Sequence, residues 1–257
     1  MRLSVFASGS KGNSLAVQSE STTLVVDLGL NCMQLEKRMK QCGVEPDSIN
    51  AILFTHDHSD HYSALDVFHR HHPQIPLLAT DGTAGAIAMR THVDDGWTTF
   101  ETGGEFEIGD ISVASFPVPH DAADPVGYLF SCGGETLFVA TDFGTVTEPV
   151  RQAFMRANCA VLEANHDPVL LAESGRPPSI KQRIRGRSGH LSNDDACELL
   201  RTVHPPALRN LFLAHLSGEC NESHLAVRML REAAEAVGMG ELRIEPLSQD
   251  STFSCEF

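Results

Sequence analysis

The chain has 257 residues, 42% of them hydrophobic, which is material for one large domain or two small ones with a substantial core. A formal net charge of -15 argues against a protein that coats nucleic acid by electrostatics alone, yet leaves open an enzyme acting on phosphodiesters, because bound cations invert the local field. No apolar run approaches a membrane span or a secretory h-region, and the seven cysteines, odd in number and without CxxC spacing, read as free thiols in a reducing cytoplasm.

Met1 to Phe6 runs straight into a strand-like segment. The following loop, Ser10-Lys11-Gly12-Asn13-Ser14, offers backbone N–H groups, two hydroxyls and a cation. It is either a nest that holds a phosphate on Ser10, Lys11, Asn13 and Ser14 or a tight turn between strands. Leu24-Val25-Val26-Asp27 reads as a buried strand bounded by Gly29, and a helix is expected from Cys32 to Gln41, stopped by Gly43. Ala51 to Phe54 is the next strand, and it delivers Thr55-His56-Asp57-His58-Ser59-Asp60-His61. His56 and His58 are two residues apart, so an extended backbone sends both to one side, while Asp60 and His61 aim at a second point as the chain turns. Four donors split two and two suit a dinuclear site rather than one tetrahedral zinc; a solvated histidine loop is the alternative. The tract Phe68-His69-Arg70-His71-His72-Pro73 lacks carboxylates and alternation and reads as such a loop.

Glu105 to Ile108 and Ile111 to Phe116 alternate at period two around Gly109-Asp110, and Val126 to Phe130 pairs with Thr136 to Ala140 around Gly133-Gly134, so two hairpins are expected. Pro177-Pro178 marks a loop. In Lys181-Gln182-Arg183-Ile184-Arg185-Gly186-Arg187 an extended backbone would put Lys181, Arg183, Arg185 and Arg187 on one face. That face is either a track for a phosphate backbone or a charged, solvated strand edge. A helix over Asp194 to Val203 is capped by Ser192 or Asn193, Leu211 to Ala214 is a short strand, and Asn221 to Val237 is a helix. Strands and helices alternating in both halves, with polar clusters at strand ends, fit two sheets packed face to face with helices outside. A dinuclear site needs further donors. His120, Asp142 and His215 each end a buried apolar strand, a poor place for an unpaired polar group, and a carboxylate such as Asp142 can bridge two metals.

The order Asp27, His56-x-His58-x-Asp60-His61, His120, Asp142, His215 resembles the metallo-β-lactamase superfamily over nearly the full chain. Ser8-Gly9-Ser10-Lys11-Gly12-Asn13-Ser14, Leu162-Glu163-Ala164-Asn165-His166-Asp167 and Gly189-His190-Leu191-Ser192-Asn193 look like its YycJ/WalJ-like branch. The resemblance implies an αββα sandwich, taken as one domain over residues 1–257. It implies one metal on His56, His58 and His120, a second on Asp60, His61 and His215, Asp142 bridging, and Asp27 orienting ligands. Antibiotic-hydrolysing relatives are exported and many carry cysteine where Asp142 stands; flavodiiron relatives carry an acidic residue at His58; His120 to Tyr128 looks like the phosphodiesterase members.

The implied cofactor is two divalent ions per chain, zinc or manganese, with iron also compatible. Such ions activate water and neutralise phosphoryl charge. Asp60 is then placed to orient the water and take its proton. His190, in a stretch similar to the non-ligand histidine motif of tRNA-processing nucleases, would protonate the leaving oxygen. His166, beside Asn165, either contacts substrate or holds its loop. The resulting expectation is a phosphodiester hydrolase with 5′-to-3′ exonuclease activity on DNA, acting away from membranes. A hydrolase of small cyclic or nucleotide phosphodiesters is the near alternative, and a non-catalytic, metal-stabilised regulator the distant one.

Overall fold

A computed structural model describes all 257 residues. One seven-stranded sheet contains β1 (Arg2–Ala7), β2 (Ser14–Gln18), β3 (Thr23–Val26), β4 (Ala51–Leu53), β5 (Leu77–Thr80) and β6 (Trp97–Phe100), with the last strand of the chain on its β1 edge. The other contains β7 (Glu105–Ile108), β8 (Ile111–Pro117), β9 (Val126–Cys132), β10 (Glu135–Ala140), β11 (Cys159–Glu163), β12 (Asn210–Ala214) and β13 (Arg243–Pro246); the edge strand of the first sheet is β14 (Phe253–Glu256). In each sheet four successive strands are parallel, β3 to β6 and β10 to β13. Two sets of strand C-termini therefore supply the chemistry, and the sheets bring those ends together.

Alternation decides what each strand faces. Leu24 and Val26 of β3, Leu53 of β4 and Leu78 of β5 point inward against Val113, Tyr128, Phe130, Leu137, Val139 and Phe212 of the other sheet. Val25, Ile52 and Leu77 point outward and are covered by α1 (Cys32–Gln41), α3 (Leu65–His71) and α4 (Asp81–Ala88), while the four-residue α2 (Ser59–Tyr62) lies at the end of β4. The second sheet is covered by α5 (Glu148–Met155), α8 (Asn193–Val203) and α9 (Ser223–Ala236) through Val150, Phe154, Leu199, Leu200, Ala226 and Leu230. Two further short helices, α6 (Pro168–Glu173) and α7 (Pro178–Ile184), lie between β11 and α8. The architecture is the expected αββα sandwich. No helix is long and apolar enough to cross a membrane.

Most element readings hold, including the Ser192 cap, whose side chain accepts from the Asp195 N–H. Two are corrected. The histidine tract is not a loop: Leu65 and Phe68, three residues apart, bury one face of α3, and the polar residues through His71 take its outer side. The basic tract is not extended. Pro178 sits at a first-turn position where its missing N–H costs nothing, Ile184 is buried, and the segment winds into α7. At 100° per residue Lys181 and Arg185 share a side and Arg183 faces elsewhere, so no alternating track exists. Lys181 instead donates to the Ala172 carbonyl oxygen.

Candidate metal centre

The donor residues converge from the ends of four strands. β4 leads into His56 and His58, α2 carries Asp60 and His61, the end of β8 is followed by His120, and the ends of β10 and β12 deliver Asp142 and His215. Asp27, Asp142 and His215 all have left-handed backbones, with φ of 60°, 59° and 53°. For non-glycine residues this costs roughly 1–3 kcal/mol each, strain that such sites tolerate to aim a side chain.

His56, His58 and His120 form one group, with His120 Nε2 3.1 Å from His58 Nδ1 and ligand atoms all within 4.8 Å. Asp60, His61, His215 and Asp142 lie beside it: Nε2 of His61 is 3.8 Å from Asp60 Oδ2 and 3.1 Å from Asp142 Oδ2, and Nε2 of His215 is 3.9 Å from Asp60 Oδ2. Asp142 also shares a group with His56 and His61, so one carboxylate touches both halves.

In three of the rings the second nitrogen is held from behind. His61 Nδ1 lies 2.7 Å from Asp27 Oδ2, which also accepts from the Thr55 hydroxyl at 2.8 Å. His120 Nδ1 lies 3.0 Å from the Gly189 carbonyl oxygen, and His215 Nδ1 lies 2.9 Å from Glu163 Oε1. These contacts fix the tautomers that leave Nε2 free. Three inward atoms, His56 Nε2, His215 Nε2 and Asp142 Oδ2, are buried without any hydrogen-bond partner. Orphaned buried acceptors cost about 1–3 kcal/mol each, so their convergence fits divalent metal.

Charge points the same way. Burial disfavours an imidazolium at His61, but Asp27, Asp142 and Asp60 together raise it well above the usual range. At His215 burial is likewise outweighed, by Asp142 and Glu163, which hold the ring at about 10. Burial pushes His56 and His120 down. Buried carboxylates thus crowd the His61 and His215 half of the cluster, a concentration of negative charge that a divalent cation would balance.

The loop Ser8–Ser14 braces this centre. Asn13 donates its backbone N–H to the Asp60 carbonyl oxygen at 2.8 Å, and its side-chain nitrogen is 3.0 Å from His61 Nε2. Ser14 donates its hydroxyl to the Asp27 carbonyl oxygen at 2.6 Å. Both residues are buried, and the Lys11 N–H is taken by Gln249, so these groups fasten ligand segments together. Gly29 makes the packing possible, since a Cβ there would lie 1.7 Å from the Asp60 carbonyl oxygen.

A cavity of about 200 Å³ opens over the donors, lined by His58, Asp60, Asp142, His190 and His215 and roofed by Arg176, Ile180, Arg183 and Ile184. Ser10 and Asn165 line it too, whereas Lys11, His166 and Arg185 do not. His166 is buried and burial pushes its ring down to about 4. Arg183 donates two hydrogen bonds to Asp121, at 2.6 and 3.1 Å. Arg176 donates to Glu219 at 3.0 Å.

Glu163 is the residue sequence reasoning missed. Fully buried at the end of β11, its Oε1 lies 2.9 Å from Nδ1 of both His190 and His215, and its Oε2 accepts the N–H groups of Phe143 at 2.8 Å and Leu191 at 3.2 Å. Burial would raise this carboxyl, but His190 and His215 outweigh it and keep it ionised. A charged residue closing an apolar strand was the available signal, the same one that marked Asp142. Asp57, inside the heptad, turns away to Arg90 and the Ala123 N–H.

The family profile of the beta-lactamase superfamily domain matches residues 22–215, the span holding every one of these donors. The chain belongs to the metallo-β-lactamase superfamily. Within it the chain falls in the YycJ/WalJ branch. Exodeoxyribonuclease YycJ of Bacillus anthracis is 36% identical, over 93% of this chain and 91% of that protein. Exodeoxyribonuclease WalJ of Streptococcus pneumoniae is 32% identical, over 97% and 95%. Among solved structures, the metallo-beta-lactamase fold protein YhfI from Bacillus subtilis superposes with a TM-score of 0.73 at 15% identity, covering 98% of each chain. The short form of human tRNase Z superposes at 0.69 with 13% identity, covering 100% of each. At these identities the two structures speak for the fold. The family and the donor set together imply a divalent-metal centre in this metallo-β-lactamase-fold chain.

Proposed function

We propose that the chain, acting as one domain, is a dinuclear metal-dependent phosphodiester hydrolase that removes nucleotides from DNA ends in the 5′-to-3′ direction. The observation that carries this reading is the juxtaposition of the split donor set with His190, which faces the same cavity with its Nδ1 already committed to Glu163. The YycJ and WalJ names of the relatives supply the substrate class.

His56, His58 and His120 would hold one ion, Asp60, His61 and His215 the other, with Asp142 between them; zinc and manganese both suit the mixed imidazole and carboxylate donors. When bound, such ions supply an activated water and neutralise charge on the phosphoryl oxygens. Asp60, at the cavity mouth, orients the attacking water and accepts its proton. His190 presents Nε2 to the leaving oxygen and donates the proton that completes cleavage, while Glu163 fixes the ring. Arg176 and Arg183, on the roof, meet the flanking phosphates; Arg183 must exchange Asp121 for substrate, which makes its contribution selective for polyanions.

The cavity's size favours a chain end over an internal bond, because about 200 Å³ lies below the roughly 300 Å³ that encloses a whole small ligand and so takes a phosphate with only part of one nucleotide. The same size suits a small nucleotide phosphodiester. A screen with zinc or manganese over linear duplex, circular duplex, single-stranded DNA and bis(p-nitrophenyl) phosphate separates these readings. Release of mononucleotides from linear DNA, with circles spared, is expected. Cleavage of small diesters alone would move the assignment to the small-molecule reading, and inertness toward all four substrates would refute hydrolysis of phosphodiesters.

A further inference from the structure

Away from the cleft a second set of metal-type donors comes together where the histidine tract meets α1. Cys32 opens that helix, Glu36 follows four residues later on the same face, and His71 arrives from the last turn of α3. Cys32 Sγ is 3.4 Å from Glu36 Oε1, His71 Nδ1 is 3.5 Å from that same oxygen, and all three donor atoms lie within 4.8 Å of one another. With Zn–S about 2.3 Å and Zn–N or Zn–O about 2.0–2.1 Å, tetrahedral geometry separates donors by roughly 3.3–3.6 Å. Two of the three edges already have that length, and the third is within 4.8 Å.

We propose that Cys32, Glu36 and His71 form a peripheral zinc site that clamps α1 to α3. A thiolate, an imidazole and a carboxylate select zinc over manganese or magnesium, and water completes the tetrahedron. Charge supports the assignment. Glu36 pairs with no lysine or arginine, although Lys37, Lys40 and Arg70 stand on the same two helices; its ionic partner is His71. The side chains of His71 and Glu36 are 53% and 38% exposed, which gives the ion an entry path. Binding exchanges the thiol proton, released to solvent, for a sulfur–zinc bond, with no redox change.

Cobalt(II) reads this site separately from the cleft, where no cysteine is among the donors. Titration of the full-length protein should produce a near-ultraviolet thiolate-to-cobalt charge-transfer band. Cys32→Ser and His71→Ala should each lose the band and bind one equivalent of zinc less, while the visible cobalt absorption of the cleft persists. His71 is on the surface, so its replacement leaves folding intact. Absence of the band in the wild-type protein at cobalt saturation, or its survival in Cys32→Ser, would overturn the proposal.

Discussion

Replacing Glu163 by glutamine tests how the centre is held. The carboxylate accepts four hydrogen bonds, two at each oxygen, from His190 and His215 on one side and from the Phe143 and Leu191 N–H groups on the other. An amide keeps one acceptor oxygen and turns the other corner into a donor. If the NH₂ faces Phe143 and Leu191, two buried N–H groups lose their partner, at about 1–3 kcal/mol each, or about 2–6 kcal/mol together. If it faces the rings, the His215 proton can move from Nδ1 to Nε2, and the nitrogen aimed at the metal loses its lone pair. Loss of such a supporting contact typically lowers metal affinity 10–100-fold, about 1.4–2.7 kcal/mol. The second orientation is the cheaper, so Glu163→Gln should weaken metal binding by 10–100-fold in competition with a chromogenic chelator. Wild-type affinity in that assay, or a stability loss of several kcal/mol with affinity unchanged, would refute this reasoning.

Gly29→Ala drives a Cβ into the Asp60 carbonyl oxygen, and overpacking of backbone against backbone should cost ~2 kcal/mol or more, lowering Tm by ~4 °C or more and activity further still; thermal unfolding at the wild-type midpoint would contradict it. His166 stays neutral down to about 4 in the fold, whereas an unfolded histidine titrates near ~6.5. The unfolded chain therefore binds more protons between those values, and stability is complete above about pH 6.5, falls as pH drops, and levels off below about 4. His166→Gln should flatten the slope of urea midpoint against pH in that window, and an unchanged slope would count against burial as the cause. Of the seven free cysteines only Cys132 and Cys255 are partly exposed, and burial pushes Cys197 up to about 11. A charged thiol reagent should label at most two cysteines before unfolding, as counted by intact mass.

The centre was legible because its first half is local: alternation in His56-x-His58 and a turn at Asp60-His61 are written in consecutive residues. The second half followed from polar residues closing apolar strands, which identified His120, Asp142 and His215. Glu163 carried the same mark but gained meaning only when β11 was seated between β10 and β12, which brings it beneath His215 and His190. The loop at Asn13 and Ser14 was not legible to that depth, because only the fold shows that it packs these two residues against Asp60 and Asp27. Around Arg183 the charges alternate at period two, yet Pro178 and the buried Ile184 impose a helix, and that decision belongs to packing. The histidine tract misled in the same way, since Leu65 and Phe68 set its period from the buried side.

The most direct test follows nucleotide release from 5′-labelled linear DNA as manganese is added back to chelated protein. Manganese leaves the thiol-containing Cys32 site aside, so bound metal counts the cleft. Activity should reach its plateau at two ions per chain, and Asp60→Asn, which removes a ligand charge and the proton acceptor together, should abolish it even at saturating manganese. A plateau at one ion, or release that survives chelation, would contradict a shared dinuclear centre.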